Sequence, residues 1–249
     1  MNTKSLLFCM LCAPALLVAS SQAAALDGVQ ILSTSDRARG GGLPGVEWTL
    51  KITSTDPETE DVRDLTVKAI DDSSLAESTY PPRVKGAKLL QVGHNMWYGR
   101  PDLRKPISIS ARQRMMGQAV NGDIASTNYI ADYVPTLLRE EPVDGEAAYV
   151  LDLSGKSKWV TYDRVVYWVS KARMVALKAE YYTVSGKLIK TARFEYANAV
   201  TYKDRTTPFI SKMTIRDAIN SDNYSVLEYS NIKVRALPRS EFAVAELSQ

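Results

Sequence analysis

From Leu43 to Thr53 apolar and polar positions alternate, with Val46, Trp48, Leu50 and Ile52 on one side and Glu47, Thr49, Lys51 and Thr53 on the other. A period of two predicts a half-buried antiparallel strand. A polar, acidic turn over 54–61 leads to Leu65, Val67 and Ala69 alternating with Thr66 and Lys68, so the pair reads as a hairpin with a longer loop. Residues 71–82 show little periodicity, and 83–98 predict two short strands around Gly93-His94-Asn95. Between Ile107 and Arg139 the alternation stops. Two short helices are expected there, from Ser110 to Gln118 and from Ala125 or Ser126 to Val134, with Gly117, Asn121 and Gly122 between them and Pro135 ending the second. Period two then returns over 147–153, 159–170, 173–183, 187–197, 208–216 and 224–237, where Pro238 stops it. With no crossover helices in this meander, the sheet is expected to be antiparallel.

The N-terminus follows a different pattern. Lys4 precedes an apolar run from Leu6 to Ala19, broken by Pro14 and followed by Ala23-Ala24-Ala25. That run is short for a bilayer span, and the small residues suit a signal peptidase, so residues 1–25 read as a signal peptide cut after Ala25 or Ala23. Residues 26–249 would then form one exported domain, placed in the periplasm. Cys9 and Cys12 both fall in the removed segment. The mature chain is therefore expected to lack disulfides, thiolate metal sites and cysteine nucleophiles. The net charge of +3, with signs alternating along most of the chain, points away from nucleic acid.

Candidate chemistry changes the picture mainly by its scarcity. The single histidine, His94, lies in the Gly-His-Asn turn with no nucleophile motif nearby, and it reads as a surface turn residue. The pairs Glu60-Asp61, Asp71-Asp72 and Glu140-Glu141 read as solvated charges in polar linkers, without calcium-loop spacing. Gly40-Gly41-Gly42 precedes a strand and lacks a following Lys-Ser or Lys-Thr, which makes it a flexible lead-in and not a phosphate cradle. No enzyme activity and no cofactor are expected. The positive signal is apolar: a curved sheet needs cover, and one helical insert is little cover for so many strands. Trp48, Leu50, Trp97, Met115, Met116, Ile124, Tyr129, Trp168, Tyr181, Phe194 and Met213 are the candidate lining of a ligand cavity. Methionine pairs adapt to ligands of variable shape, including acyl chains. The plainer reading is that the same residues form the core.

A set of ordered motifs resembles the LolA-like family, whose members are commonly labelled outer-membrane lipoprotein-sorting proteins. They are Pro-Arg-Val-Lys-Gly-Ala-Lys-Leu-Leu at 82–90, Asn-Met-Trp-Tyr at 95–98, Pro-Asp-Leu-Arg-Lys-Pro-Ile-Ser-Ile-Ser at 101–110, Gln-Arg-Met-Met-Gly-Gln at 113–118 and Asn-Gly-Asp-Ile at 121–124. The closing strand around Tyr229 to Val234, with Phe242 and Leu247 after it, resembles the family's terminal strand and docking tail. The resemblance implies an unclosed antiparallel β-barrel, or strongly curved sheet, whose concave face is covered by short helices. It implies a monomeric carrier of lipid or lipoprotein acyl chains between an inner-membrane donor and an outer-membrane acceptor. Met115, Met116, Gly122, Asp123 and Ile124 would form its lid or plug. Asp123 would either hold the insert through a backbone donor or an arginine, or cap the following helix. The alternative is a non-carrying accessory module of a resistance-nodulation-division type exporter, since this branch is associated with such systems.

Overall fold

A computed structural model of the chain describes residues 27–248, apart from 71, 126 and 127. The expected signal peptide and both cysteines lie outside the described residues.

The chain starts with helix α1 (Gly28–Asp36), which Asp27 and Gln30 close with a reciprocal capping box. Strands β1 (Val46–Thr55), β2 (Glu60–Ile70), β3 (Ser73–Tyr80), β4 (Lys88–Val92), β5 (Asn95–Gly99) and β6 (Ile107–Ile109) follow as a meander. Next comes an insert made of β7 (Arg114–Met116), β8 (Ala119–Val120), α2 (Asn121–Ala125) and α3 (Tyr129–Asp132). A second meander runs through β9 (Tyr133–Val143), β10 (Glu146–Gly155), β11 (Arg164–Ser170), β12 (Ala176–Tyr182) and β13 (Leu188–Glu195). The hairpin β14 (Asn198–Tyr202) and β15 (Arg205–Phe209) interrupts it before β16 (Lys212–Asp217) and β17 (Tyr224–Val234).

Thirteen strands form one antiparallel sheet in the order β6-β5-β4-β3-β2-β1-β17-β16-β13-β12-β11-β10-β9. The first and last strands of the two meanders, β1 and β17, pair at the centre and leave β6 and β9 as free edges. The sheet is thus curved and not closed into a barrel, as expected.

Four sequence expectations are corrected. The helix expected at 110–118 is instead the tight hairpin β7–β8, in which Gly117 turns at φ 52°. A Cβ at Gly117 would lie 1.6 Å from the Ser54 hydroxyl oxygen, so only glycine lets this turn rest on the sheet. The helix expected to reach Val134 stops at Asp132, and Pro135 sits in β9. Proline is tolerated there because β9 is an edge strand. Residues 73–80, which show little periodicity, form β3, and the pairs Glu60-Asp61 and Glu140-Glu141 lie in strands and not in linkers.

The concave face has more cover than the sequence implied. Ile31 and Leu32 of α1, Val200 and Phe209 of the β14–β15 hairpin, and Ile124 and Tyr129 of the insert all join one interior cluster with the inward residues of the sheet. Burial of this continuous apolar interior is the main force holding the curved sheet around its contents. The opposite face of β3–β5 is covered by the C-terminal tail, where Leu237, Phe242 and Leu247 pack on Ile70, Leu90 and Trp97.

Candidate functional site

Strand register decides which candidate residues meet. The register pairs Leu65 with Leu50, Leu50 with Tyr229, Leu227 with Met213, Met213 with Phe194, Ala192 with Ala179 and Ala179 with Tyr167, all on the interior face. Trp48, Leu50, Tyr181, Phe194 and Met213 are therefore brought together, and Ile124 and Tyr129 reach them from the insert. Met115 and Met116 are half-buried against the same cluster.

Two candidates do not belong. Trp168 packs with Val143, Val150, Val166 and Leu177 on the opposite face, with the Lys178 ammonium 4.2 Å from its ring centre. Trp97 pairs with Leu90 beneath the tail. Both lie in strands apolar on both faces, Val165-Val166-Tyr167-Trp168-Val169 in β11 and Met96-Trp97-Tyr98 in β5, where period two cannot tell inside from outside.

The interior is filled in the middle and open at one wing. Between Arg39, Trp48, Asp123, Ile124, Phe209 and Tyr229 the residual space is about 10 Å³, too little for more than one water. A cavity of about 330 Å³ lies instead between the β2–β6 wing and the β7 edge of the insert. Leu65, Ala76, Leu89, Ile107, Ile109 and Met115 give it an apolar floor, while Arg63, Lys88, Arg114, Gln113, Tyr98 and Asn121 supply polar groups. Of the expected lining residues, only Met115 borders this space; Trp97 and Trp168 lie on the opposite face and the others pack in the adjoining core.

Buried polar bonds fasten the insert. Asp123 accepts from the Val120 backbone N–H at 2.9 Å and from the Tyr162 hydroxyl at 2.8 Å. It thus caps the start of its own helix, and the side chain it meets is a tyrosine and not an arginine. The Lys190 ammonium donates to the Gln118 carbonyl at 2.6 Å and to the Tyr162 hydroxyl at 3.2 Å. Burial pulls the Lys190 pKa below its usual value, opposed by the Asp123 carboxylate. Gly122 allows the close approach, because a Cβ there would lie 2.0 Å from the Thr161 hydroxyl oxygen.

On the other side Asp36, at the end of α1, accepts from the Ile130 backbone N–H at 2.8 Å and so ties α1 to α3. Burial raises the Asp36 pKa to about 7 against the opposing pull of that hydrogen bond and of Arg39. The Arg39 guanidinium lies 4.6 Å from the Tyr129 ring centre. Neither Asp36 nor Arg39 figured in the sequence reading. The signal that could have found α1 is Asp27…Gln30 followed by Ile31-Leu32, a capping box ahead of apolar residues. His94 lies at the β4–β5 turn, with Nδ1 3.6 Å from an Asp132 carboxylate oxygen.

Comparison with known proteins agrees with this architecture. A crystal structure of a LolA superfamily protein from Nitrosomonas europaea is 35% identical, covers 88% of this chain and 98% of its own, and superposes with a TM-score of 0.79. The chain belongs to the LolA superfamily. A family model described only as an uncharacterized protein matches residues 70–249. Two more distant structures share the fold. One is a putative outer membrane lipoprotein-sorting protein domain from Vibrio parahaemolyticus, at 23% identity over 89% of this chain and 98% of that one, TM-score 0.75. The other is a DUF1329 family protein from Desulfovibrio piger, at 21% identity over 88% of this chain and 97% of that one, TM-score 0.74. No curated protein matches. Among the described residues, no helix is long and apolar enough to cross a membrane.

Proposed function

We propose that this protein is a periplasmic carrier that takes an acyl chain of a lipid or lipoprotein into the space beside its insert and passes it from an inner-membrane donor to an outer-membrane acceptor. The observation that carries this reading is the cavity of about 330 Å³, apolar along its floor and bordered by the half-buried Met115 of the insert. Binding there needs no covalent chemistry, because each methylene removed from water contributes about 0.8 kcal/mol. Larger cargo would require the insert to lift, exposing Ile124 and Tyr129 and breaking the hydrogen bonds of Asp123 and Asp36.

Titration of the delipidated mature protein with a fluorescent fatty acid tests the reading. Saturable uptake is expected, and Met115→Glu, which places a charge against the apolar floor, should weaken it at least tenfold without altering the circular dichroism spectrum. Absence of uptake by the unsubstituted protein contradicts the carrier reading.

A second reading, an accessory module that docks on an exporter and carries nothing, is favoured by Trp159, which is 61% exposed, and by Val134, Leu137 and Leu138 exposed on edge strand β9. Under that reading Trp159→Ser abolishes docking, and Met115→Glu leaves it intact.

A further inference from the structure

The polar groups around the wing cavity are one-sided in charge. None of its lining residues is acidic, whereas Arg63, Lys88 and Arg114 are all basic. Lys88 is committed elsewhere: its ammonium donates to the Glu246 carbonyl in the tail at 2.7 Å. Arg63 differs. It stands on β2 opposite Ile52, one step along the interior face from Leu65, so its side chain enters the cavity beside the apolar floor. Its Nε is buried and has no hydrogen-bond partner. A buried donor without an acceptor is destabilising, and more so when it belongs to a charged group. Desolvation pulls the Arg63 pKa below its usual value, helped by Arg83 and opposed by Tyr98 and Asp61, which marks a guanidinium stripped of water without full compensation. Arg114 is exposed at the rim of the same cavity.

Size narrows the ligand further. About 330 Å³ is at the small end of the range for ligand sites, roughly 300–1,000 Å³. Beyond Met115 the interior is already filled by the protein's own side chains.

We infer that the wing cavity is a site for a single-chain anionic amphiphile, whose tail lies on the Leu65–Leu89–Ile109–Met115 floor and whose carboxylate or phosphate head pairs with Arg63 and Arg114. This rests on the carrier reading and narrows it: a neutral head can accept from the Arg63 Nε but leaves the guanidinium charge uncompensated, and several acyl chains at once exceed the space. The guanidinium fork matches a planar carboxylate or a phosphate oxygen pair, and such charge-assisted bonds are about twice as strong as neutral ones.

The test compares ligands that share a tail. Oleate, oleyl alcohol and acetate are titrated against the delipidated mature protein at mildly alkaline pH by displacement of a fluorescent fatty acid. Oleate should bind about tenfold or more tighter than oleyl alcohol, and acetate should displace nothing. Arg63→Gln, which keeps an aliphatic stem and a neutral head, should bring oleate down to the affinity of the alcohol and leave the alcohol unchanged. Arg114→Gln should act in the same direction more weakly, since its head is already in water. Equal affinity of the unsubstituted protein for oleate and oleyl alcohol overturns the inference and leaves the carrier reading standing. Displacement by acetate alone also overturns it, in favour of a plain anion site. Failure of every long-chain ligand to bind removes both.

Discussion

Asp36 carries the largest burden among single residues, because a fully buried carboxyl must be neutral or must be held by charges and donors around it. It faces Arg39 from its own segment, the Ile130 N–H and Asp132 from α3, and Tyr129 and Tyr167 from the insert and β11. With a pKa raised from 3.8 to about 7, the folded protein holds a proton here that the unfolded chain has already lost. Its contribution to stability is therefore complete below about pH 4 and is lost as pH rises through about 7. Asp36→Asn keeps an acceptor for Ile130 and removes the titration. Measured by urea unfolding, the variant should gain on the parent between about pH 4 and pH 7, by a total on the order of 4 kcal/mol, and level off above. A constant difference across that range would mean that Asp36 stays ionised. Gly122 makes a steric claim of the same kind. Gly122→Ala should cost about 1–3 kcal/mol through overpacking on Thr161, and adding Thr161→Ala should recover part of it.

At the scale of elements, the two faces of the β3–β5 wing have separate duties. One face borders the cavity through Ala76 and Leu89, and the other is sealed by Phe242 and Leu247 of the tail. Phe242→Ala should lower the stability measured by urea unfolding by about 3–5 kcal/mol while leaving fatty-acid affinity within twofold, since the Phe242 ring packs on the far face. A parallel loss of affinity in a still-folded variant would show that the two faces are coupled. The same elements show what could be read from the sequence. Period two located β1, β2, β10, β12, β13 and β17, because each has one apolar and one mixed face. It failed at β9, where two prolines and the run Arg139-Glu140-Glu141 disguise an edge strand exposed along most of its length. It failed also at β7–β8, too short for any period to emerge. Of the expected lining, Met115 borders the wing cavity while Trp97 and Trp168 face the other way, and nothing in the sequence hinted at Arg63, whose place depends on pairing with Ile52 and not on its immediate neighbours.

For the molecule as a whole, the sheet wraps an interior assembled from three separate chain segments: α1, the insert and the β14–β15 hairpin. That arrangement fills the centre and leaves an apolar-floored cavity at the β2–β6 wing. A carrier needs such an asymmetry, since cargo must enter from one side and the cover must move without unfolding the sheet. Two buried carboxylates, Asp36 and Asp123, with Lys190 and the Tyr162 hydroxyl, are spent on fastening the insert to its surroundings. The central claim is that the wing cavity holds an acyl chain in the working protein. Mass spectrometry of lipid extracted from natively purified mature protein tests it most directly. The account predicts acyl lipid near one molecule per protein in the unsubstituted chain and little in Met115→Glu. Lipid-free protein, or equal lipid in both preparations, would contradict it.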